Sequence, residues 1–197
     1  MTDAELIQCY LQGNMHAFNQ LVWRWQKPIY NFILKTVANE EVAKDICQVV
    51  FVKVYQQVKG LKDQESFSPW IYRIAYRVCC DEFKRNKKCR TISLDEQASE
   101  NGQLLVRQMP GQGQNPEQQV ETQEIQKILE NALNTLPEEQ RVVVIMKQYQ
   151  GMKFREIAEA LDEPVNTVKS RLYYGLKALK KMLEASELSE EVLLYDV

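Results

Sequence analysis

The apolar residues of the first ninety positions recur every three or four residues, in five successive stripes. This spacing gathers side chains on one face of a helix, whereas a strand requires strict alternation. The stripes are Leu6, Ile7, Tyr10 and Leu11; Phe18, Leu21, Val22 and Trp25; Ile29, Ile33 and Val37; Val42, Ile46, Val49, Val50 and Val54; and Phe67, Trp70, Ile71, Ile74 and Val78. They predict a bundle of amphipathic helices in residues 1–90, with the apolar stripes turned toward one another.

A second helical block is predicted from Gln123 onward, after a stretch of different composition. Residues 91–122 contain Gly, Pro, Gln, Ser and Asn in place of a continuous apolar face, which indicates a linker. Helical spacing returns in residues 123–183, and residues 184–197 form an acidic tail. The predicted fold class is therefore all-α, with two small helical domains joined by a flexible linker.

The most informative pattern lies between Phe154 and Leu179, where the sequence predicts a helix, a tight turn and a second helix. Small Ala158 on the inner face of the first helix allows the second helix to approach closely. Pro164 is predicted to end the first helix. The side chain of Asn166 is predicted to cap the second helix, because it can accept a hydrogen bond from an unpaired backbone N–H. Together these features are typical of a helix-turn-helix.

The two faces of the predicted second helix differ in chemistry. Its inward positions are Val168, Leu172, Leu176 and Leu179. Its outward positions combine cations, hydroxyls and aromatic rings, and a helix-turn-helix places such a face in the major groove of DNA. Plain core packing of two helices around a proline turn is the alternative interpretation. The residues predicted to bind duplex DNA are Asn166, Thr167, Lys169, Ser170, Arg171, Tyr173, Tyr174 and Lys177.

A second polar face accompanies the fifth apolar stripe of the N-terminal block. Its outer positions interleave tyrosines with cations. Bases stack on aromatic rings for about 1–3 kcal/mol each, while cations hold the phosphates. The pattern predicts a surface for single-stranded DNA, although a solvated helix whose tyrosines cover the core fits it equally well. The predicted residues are Tyr72, Arg73, Tyr76, Arg77, Lys84, Arg85, Lys87 and Lys88.

The distribution of charge supports two regions that bind a polyanion. The net charge is −2, yet residues 1–90 carry 14 Lys and Arg against 9 Asp and Glu. Residues 125–181 carry 10 against 7, whereas residues 91–124 carry 1 against 6. Two basic blocks separated by an acidic connector indicate localised contact with nucleic acid rather than general adhesion to it.

Composition argues against several other classes of protein. No apolar run approaches the roughly 20 residues of a membrane span, and the start Met1-Thr-Asp-Ala-Glu lacks the features of a signal peptide. We therefore expect a cytoplasmic protein without membrane insertion. The five cysteines form no Cys-x-x-Cys pair and are expected to be reduced. His16 is the only histidine, and no Gly-rich phosphate loop is recognisable, so no catalytic residue, metal site or cofactor is predicted.

Four segments in this order resemble the extracytoplasmic-function sigma factors, which are two-domain initiation factors of the bacterial sigma-70 family. Ala43–Val54 resembles the core-binding helix of that family, and Phe67–Ala75 resembles its promoter-melting segment. Leu136–Arg141 is similar to the opening of its second domain, and Pro164–Leu172 to its recognition helix. The resemblance covers nearly the whole chain.

The resemblance implies a bridge between core RNA polymerase and promoter DNA. Domain one would bind the clamp coiled coil of core polymerase and the melted minus-ten strand. Domain two would read the minus-thirty-five duplex, and an anti-sigma factor would control the protein. The implied core-binding face lies opposite the fourth apolar stripe, and the residue pattern alone is compatible with a merely solvated face there. The implied core-binding residues are Asp45, Gln48, Val52 and Lys53.

Two other functions are compatible with the residue pattern. A helix-turn-helix regulator would bind duplex DNA without core polymerase, and would use residues 1–90 to sense a ligand or to dimerise. A protein-interaction adaptor would bind neither DNA nor polymerase. A sigma factor should bind core polymerase tightly and free promoter duplex poorly, whereas a regulator should do the reverse.

Overall fold

A computed structural model of the chain describes residues 1–92 and 116–185, with side chains for residues 1–85, 125 and 127–184. Eight α-helices follow one another in these ranges, and no strand occurs in them, which confirms the predicted all-α class. The helices are α1 (Asp3–Leu11), α2 (Met15–Val37), α3 (Glu40–Gln57), α4 (Phe67–Ile92), α5 (Pro116–Thr135), α6 (Glu138–Val144), α7 (Phe154–Leu161) and α8 (Val165–Ala185). Short 3₁₀ turns lie at Val58–Gly60 and Gln64–Ser66.

Helices α1 to α4 form the first domain. Three of them begin at side-chain caps, because Thr2, Asn14 and Asn39 each accept a hydrogen bond from a backbone N–H of the first turn. Most residues of the predicted apolar stripes meet in the centre of this bundle, but Leu11 of the first stripe is 43% exposed. Fully buried side chains such as Ile29 and Phe32 each contribute roughly 1.5–3 kcal/mol through the hydrophobic effect.

Two of the predicted stripes belong to a single helix. Helix α2 continues through Pro28, a residue that lacks a backbone N–H and usually breaks a helix. The residues that follow Pro28 are held by the core, since Ile29, Phe32 and Ile33 are fully buried. Tertiary packing therefore outweighs the local preference of the chain at this point.

Helices α5 to α8 form the second domain, around the buried run from Val142 to Met146. Helix α6 passes directly into a π-helical turn, Ile145–Tyr149, which is followed by Gly151 with a φ of 64°. Helix α8 lies very close to α6 at Gly175. A Cβ atom at that position would stand 2.9 Å from Cγ2 of Val144, so only glycine fits without a shift of the neighbours.

The helix-turn-helix is present, but three details of its prediction are wrong. Helix α7 ends at Leu161, and Asp162 adopts the left-handed conformation with a φ of 58°, so the chain turns before Pro164. Helix α8 begins at Val165, which places Asn166 inside the first turn instead of at the cap. Leu176 is 38% exposed, whereas its neighbour Gly175 takes the position that faces α6.

The predicted linker also differs from the structure at its ends. Helix α4 extends to Ile92, and α5 begins at Pro116 rather than at Gln123. Proline is favoured in the first turn of a helix, where its missing N–H needs no partner. The remainder of the predicted linker and the acidic tail after residue 185 lie outside the described residues.

The two domains pack against each other, chiefly through α4 of the first and α7 of the second. The π-helical turn of the second domain also contacts α2. The outer face of α4 consequently meets the second domain, whereas α8 packs on α5, α6 and α7. No helix in the described ranges is long and apolar enough to cross a membrane.

Candidate functional site

The outward face of α3 presents the residues implied in core binding. Asp45, Gln48 and Val52 are exposed, and Lys53 is half-buried. The prediction that Val49 faces inward is wrong, because its side chain is 44% exposed beside these residues. The face therefore combines a carboxylate, an amide and exposed valines, a mixture that suits a protein partner better than a phosphate backbone.

A groove of about 650 Å³ runs beside this face, between α2 and α3. Gln48 belongs both to the groove and to the outward face of α3. Trp23 of α2 also lines the groove and is 80% exposed, which is unusual for the largest apolar side chain. Sequence analysis did not single out Trp23. The available signal was a tryptophan next to the second apolar stripe, between Val22 and Arg24, that does not belong to the stripe.

Tyr72 of α4 does not lie on an outer face as predicted. Its side chain is only 3% exposed, and its ring packs edge-on against Trp25 and Phe32. The hydroxyl of Tyr72 donates a hydrogen bond of 2.7 Å to Oε1 of Gln150, in the second domain. Burial raises the pKa of Tyr72 well above its usual value. The sequence pattern missed this arrangement because α4 is covered on two sides.

Arg73 and Tyr76 also face the second domain. Nε of Arg73 donates a hydrogen bond of 3.0 Å to the backbone carbonyl of Glu159 in α7, and Nη2 donates to the same oxygen. Tyr76 is half-buried, and burial raises the pKa of its hydroxyl. Next to it, Sγ of Cys80 lies 3.8 Å from Oε1 of Glu138 in α6.

The remaining basic residues of α4 extend away from this contact. Arg77, Lys84 and Arg85 are exposed, and Arg85 forms an ion pair of 2.7 Å with Glu82 one turn earlier. Lys87 and Lys88 belong to the same helix, and their side chains lie outside the described set. The structure thus divides the predicted single-strand surface into a covered part, Tyr72 to Tyr76, and an exposed part that begins at Arg77.

The outward face of α8 is open to solvent over most of its predicted length. Tyr173 and Tyr174 are strongly exposed and form an edge-to-face pair with ring centroids 5.5 Å apart. The hydroxyl of Ser170 donates to the backbone carbonyl of Asn166 at 3.0 Å, which leaves its lone pairs free. The other members of this face are Asn166, Lys169 and Lys177, which are exposed, and Thr167, which is half-buried.

Arg171 differs from its neighbours on α8. Its guanidinium forms ion pairs of 2.9 Å with Glu139 of α6 and 3.0 Å with Glu163 of the turn before α8. It therefore ties the turn and two helices together. A group already engaged by two carboxylates is less available to DNA than the exposed Lys169.

Arg155 is a candidate DNA-binding residue that sequence analysis missed. It is exposed at the start of α7, next to Phe154. Nζ of Lys169 lies 5.8 Å from the ring centroid of Phe154, so the first turn of α7 and the first half of α8 meet at one end of the motif. The available signal was a cation at the second position of the first helix of the motif.

No group of three or more His, Cys, Asp and Glu side chains in the described part of the chain could hold a metal ion. The outward faces of α3, α4 and α8 instead carry individual cations, amides and hydroxyls. Such groups can bind a partner or a nucleic acid through hydrogen bonds and charge.

Two family models match the chain. Residues 21–89 match the model described as Sigma-70 region 2, and residues 126–179 match Sigma-70, region 4. The first range contains α3 and most of α4, and the second contains the helix-turn-helix.

Curated relatives match over nearly their whole length. The ECF RNA polymerase sigma factor SigW of Bacillus subtilis is 30% identical over 87% of this chain and 91% of its own. The ECF RNA polymerase sigma-E factor of Escherichia coli is 26% identical over 93% and 95%. Matches of this extent include both domains.

Two solved structures share the fold. The sigma factor RpoE of Bartonella quintana, in complex with the anti-sigma factor NepR, aligns with a TM-score of 0.68 and 18% identity, over 85% of this chain and 96% of that one. CnrH, in complex with the cytosolic domain of CnrY, aligns with a TM-score of 0.66 and 21% identity, over 93% and 97%.

Proposed function

Because this chain belongs to the extracytoplasmic-function sigma factors of bacterial RNA polymerase, we propose a separate role for each of its three surfaces. A member of this family directs core RNA polymerase to promoters, which sets aside the regulator that acts without polymerase. The proposal assigns core polymerase to the outward face of α3, the melted minus-ten strand to α4, and the minus-thirty-five duplex to α8.

The exposed face of α8 is proposed to bind duplex DNA. Lys169 and Ser170 lie in the half of the helix that enters the major groove in a helix-turn-helix. Tyr173, Tyr174 and Lys177 follow on the same face and are suited to contacts with methyl groups, sugars and phosphates. Asn166 and Thr167 supply hydrogen bonds at the start of the helix. We propose Arg155 as an additional phosphate contact and Arg171 as the residue that holds the motif together.

The exposed part of α4 is proposed to hold the melted strand. Arg77, Lys84 and Arg85 provide cations along the helix, and Lys87 and Lys88 continue the same run in the sequence. Arg73 and Tyr76 are proposed to join this surface when the second domain moves away. Tyr72 is proposed to contribute its hydroxyl, because its ring packs against Trp25 and Phe32 of its own domain. Capture of unstacked bases by aromatic rings would then offset the cost of opening the duplex.

Asp45, Gln48, Val52 and Lys53 are proposed to bind the clamp coiled coil of core polymerase. Their exposure and the neighbouring exposed Val49 support this assignment. We propose that Trp23 extends the same surface across the groove, because a large apolar side chain beside polar groups is typical of the residues that dominate protein interfaces.

Control by an anti-sigma factor is also proposed. The sigma factor RpoE of Bartonella quintana, which has a similar fold, has been solved in complex with the anti-sigma factor NepR. We propose cytoplasmic action, alongside core polymerase, and a binding role without a catalytic centre. The proposed domains are residues 1–90 and 123–183, which α4 and α5 extend to Ile92 and to Pro116; the rest of 91–122 is the proposed linker and 184–197 the proposed tail.

Transcription in vitro tests the function as a whole. Purified bacterial core polymerase is supplied with this protein or with buffer, on fragmented genomic DNA, and the transcript starts are sequenced. We expect new starts that share two short upstream elements. If no new start appears and core polymerase does not bind the chain, the assignment to three surfaces fails.

The core-binding surface has its own test. Gln48→Ala and Asp45→Ala together should weaken binding to core polymerase by roughly tenfold or more, since residues near the centre of an interface dominate its affinity. Gln8→Ala is the matched control, because it removes an exposed amide from α1 of the same domain. Equal affinity of the double variant and the control would contradict the assignment.

A further inference from the structure

We propose that Phe154 is a positioning residue for the reading of duplex DNA, because its ring restricts the side chain of Lys169 on the exposed face of α8. The inference rests on the proposed role of Lys169 at the minus-thirty-five duplex, and it names the group that prepares Lys169 for that role. Phe154 contacts no base itself. It acts through Lys169.

The side chain of Phe154 lies where the two helices of the motif meet. Phe154 is the first residue of α7 and is half-buried, whereas Lys169 is exposed near the start of α8. Nζ of Lys169 lies 5.8 Å from the centroid of the Phe154 ring, and an aromatic ring attracts a cation within about 6 Å of its centroid. The contact therefore joins the first turn of α7 to the reading half of α8.

Lys169 is held differently from other cations of α8. Arg171 forms two ion pairs, and Nζ of Lys180 lies 3.8 Å from Oε1 of Glu184. A carboxylate neutralises a cation and occupies its N–H donors, whereas the face of a ring attracts the cation through its quadrupole and does not neutralise it. The ring of Phe154 therefore restricts Lys169 and leaves its charge and its N–H donors for DNA.

A second lysine fixes the ring of Phe154. Nζ of Lys147 lies 5.0 Å from the centroid of that ring and donates a hydrogen bond of 3.1 Å to the backbone carbonyl of Met152. Lys147 is half-buried in the π-helical turn Ile145–Tyr149, and Met152 is buried. The ring is consequently anchored to the core of the second domain independently of α8.

A lysine that is restricted before it binds loses less conformational entropy on binding. An unrestricted lysine loses rotamer freedom when its ammonium group is fixed on a base or a phosphate. The ring of Phe154 already limits the rotamers of Lys169, so part of that loss occurs on folding. Discrimination between bases at the position that Lys169 reads should therefore depend on Phe154.

Selection from a pool of minus-thirty-five variants, with core polymerase and the full-length chain, tests the inference. The measured quantity is the ratio of the preferred base to the other bases at each position of the element. Lys169→Ala identifies the position at which Lys169 acts. Phe154→Leu removes the ring, and Phe154→Tyr keeps one. Phe154→Met removes the ring with a side chain of another shape, in case Phe154→Leu does not fold.

Phe83→Leu is the matched control. Phe83 is also half-buried, and Cζ of Arg141 lies 6.0 Å from its ring centroid, but Phe83 belongs to α4. Phe154→Leu should lower the base ratio about threefold at the position that Lys169→Ala identifies, which is the effect of an exposed cation–π contact on an equilibrium. Phe154→Tyr and Phe83→Leu should keep the ratio of the unchanged chain. Phe154→Leu combined with Lys169→Ala should lower the ratio no further than Lys169→Ala alone.

An unchanged ratio in both ring-free variants would overturn the inference. An equal loss in Phe154→Tyr or in Phe83→Leu would also overturn it, and so would an additive loss in the double variant, because a general weakening of the domain gives these results. If Lys169→Ala alters the ratio and the ring-free variants do not, only the inference fails and the proposed role of Lys169 stands. If Lys169→Ala alters no position, that role fails and the inference fails with it.

Discussion

The outer faces of α4 and α8 are both proposed to bind DNA, yet the structure treats them differently. Tyr72 and Arg73 of α4 contact the second domain, whereas Tyr173 and Lys169 of α8 are exposed. Both faces carry tyrosines and cations in the sequence. A face rich in tyrosine and arginine can therefore serve equally well as a domain contact, since both side chains pack and donate hydrogen bonds.

We expect the strongest loss of stability from a substitution at Gly175, where α8 lies against α6. In Gly175→Val the added Cβ would lie 2.9 Å from Cγ2 of Val144, and the two added methyl groups would increase this overlap. Overpacking of this kind costs about 1–3 kcal/mol, so chemical denaturation should show a less stable second domain. Gly60→Val is the control, because an added Cβ there meets no atom within 4 Å. Equal stability of the two variants would contradict the close approach of α8 and α6.

A substitution of Lys169 tests the assignment of α8 to duplex DNA. Lys169→Ala should change the preferred minus-thirty-five sequence and lower affinity for the preferred one by about tenfold, because a base contact is worth about 1–3 kcal/mol of discrimination. Selection from a pool of promoter variants with the polymerase complex measures the preference. Lys181→Ala, an exposed lysine farther along the same helix, should leave the preference unchanged. An unaltered preference in Lys169→Ala would remove Lys169 from the reading surface.

Arg171 of α8 is predicted to stabilise the second domain without reading the DNA sequence. Arg171→Gln should destabilise the second domain by about 1 kcal/mol, because Glu139 and Glu163 both lose their partner. The sequence preference of the polymerase complex should remain that of the unchanged chain. Thermal unfolding and the same selection measure the two quantities. A changed preference with unchanged stability would return Arg171 to the DNA-binding set, as the sequence predicted.

The smallest effect concerns the covered face of α4. Tyr72→Phe removes one hydrogen bond to Gln150 and should lower the stability of the chain by about 0.5–1.5 kcal/mol. Tyr173→Phe removes a hydroxyl from the exposed face and should change stability very little. Chemical denaturation of both variants in parallel tests the contrast. If Tyr173→Phe lost more stability than Tyr72→Phe, the description of α4 as covered and α8 as open would be wrong.

Much of this architecture was predictable from local patterns. The apolar stripes fall on helices whose cores contain Ile29, Ile71 and Val168, and the helix-turn-helix lies where the pattern placed it. The errors are equally specific. Asn166 is the second residue of α8 and not its cap, Leu176 is exposed, and Val49 is exposed on the outward face of α3. Each depends on how a neighbouring helix approaches, which spacing along one helix does not contain.

The helices, the order of the two domains and the chemistry of their polar faces follow from the sequence alone, because helical periodicity and residue type act locally. It also contained the four segments that identify the family. Which polar face is covered depends on how the two domains pack in the tertiary structure. Packing of α7 and Gln150 on α4 turns Arg73 and Tyr72 into domain contacts, and the ion pairs of Arg171 bind it to its own domain. These outcomes depend on contacts between residues far apart in the chain, and a helix has no local signal that a second domain will cover it.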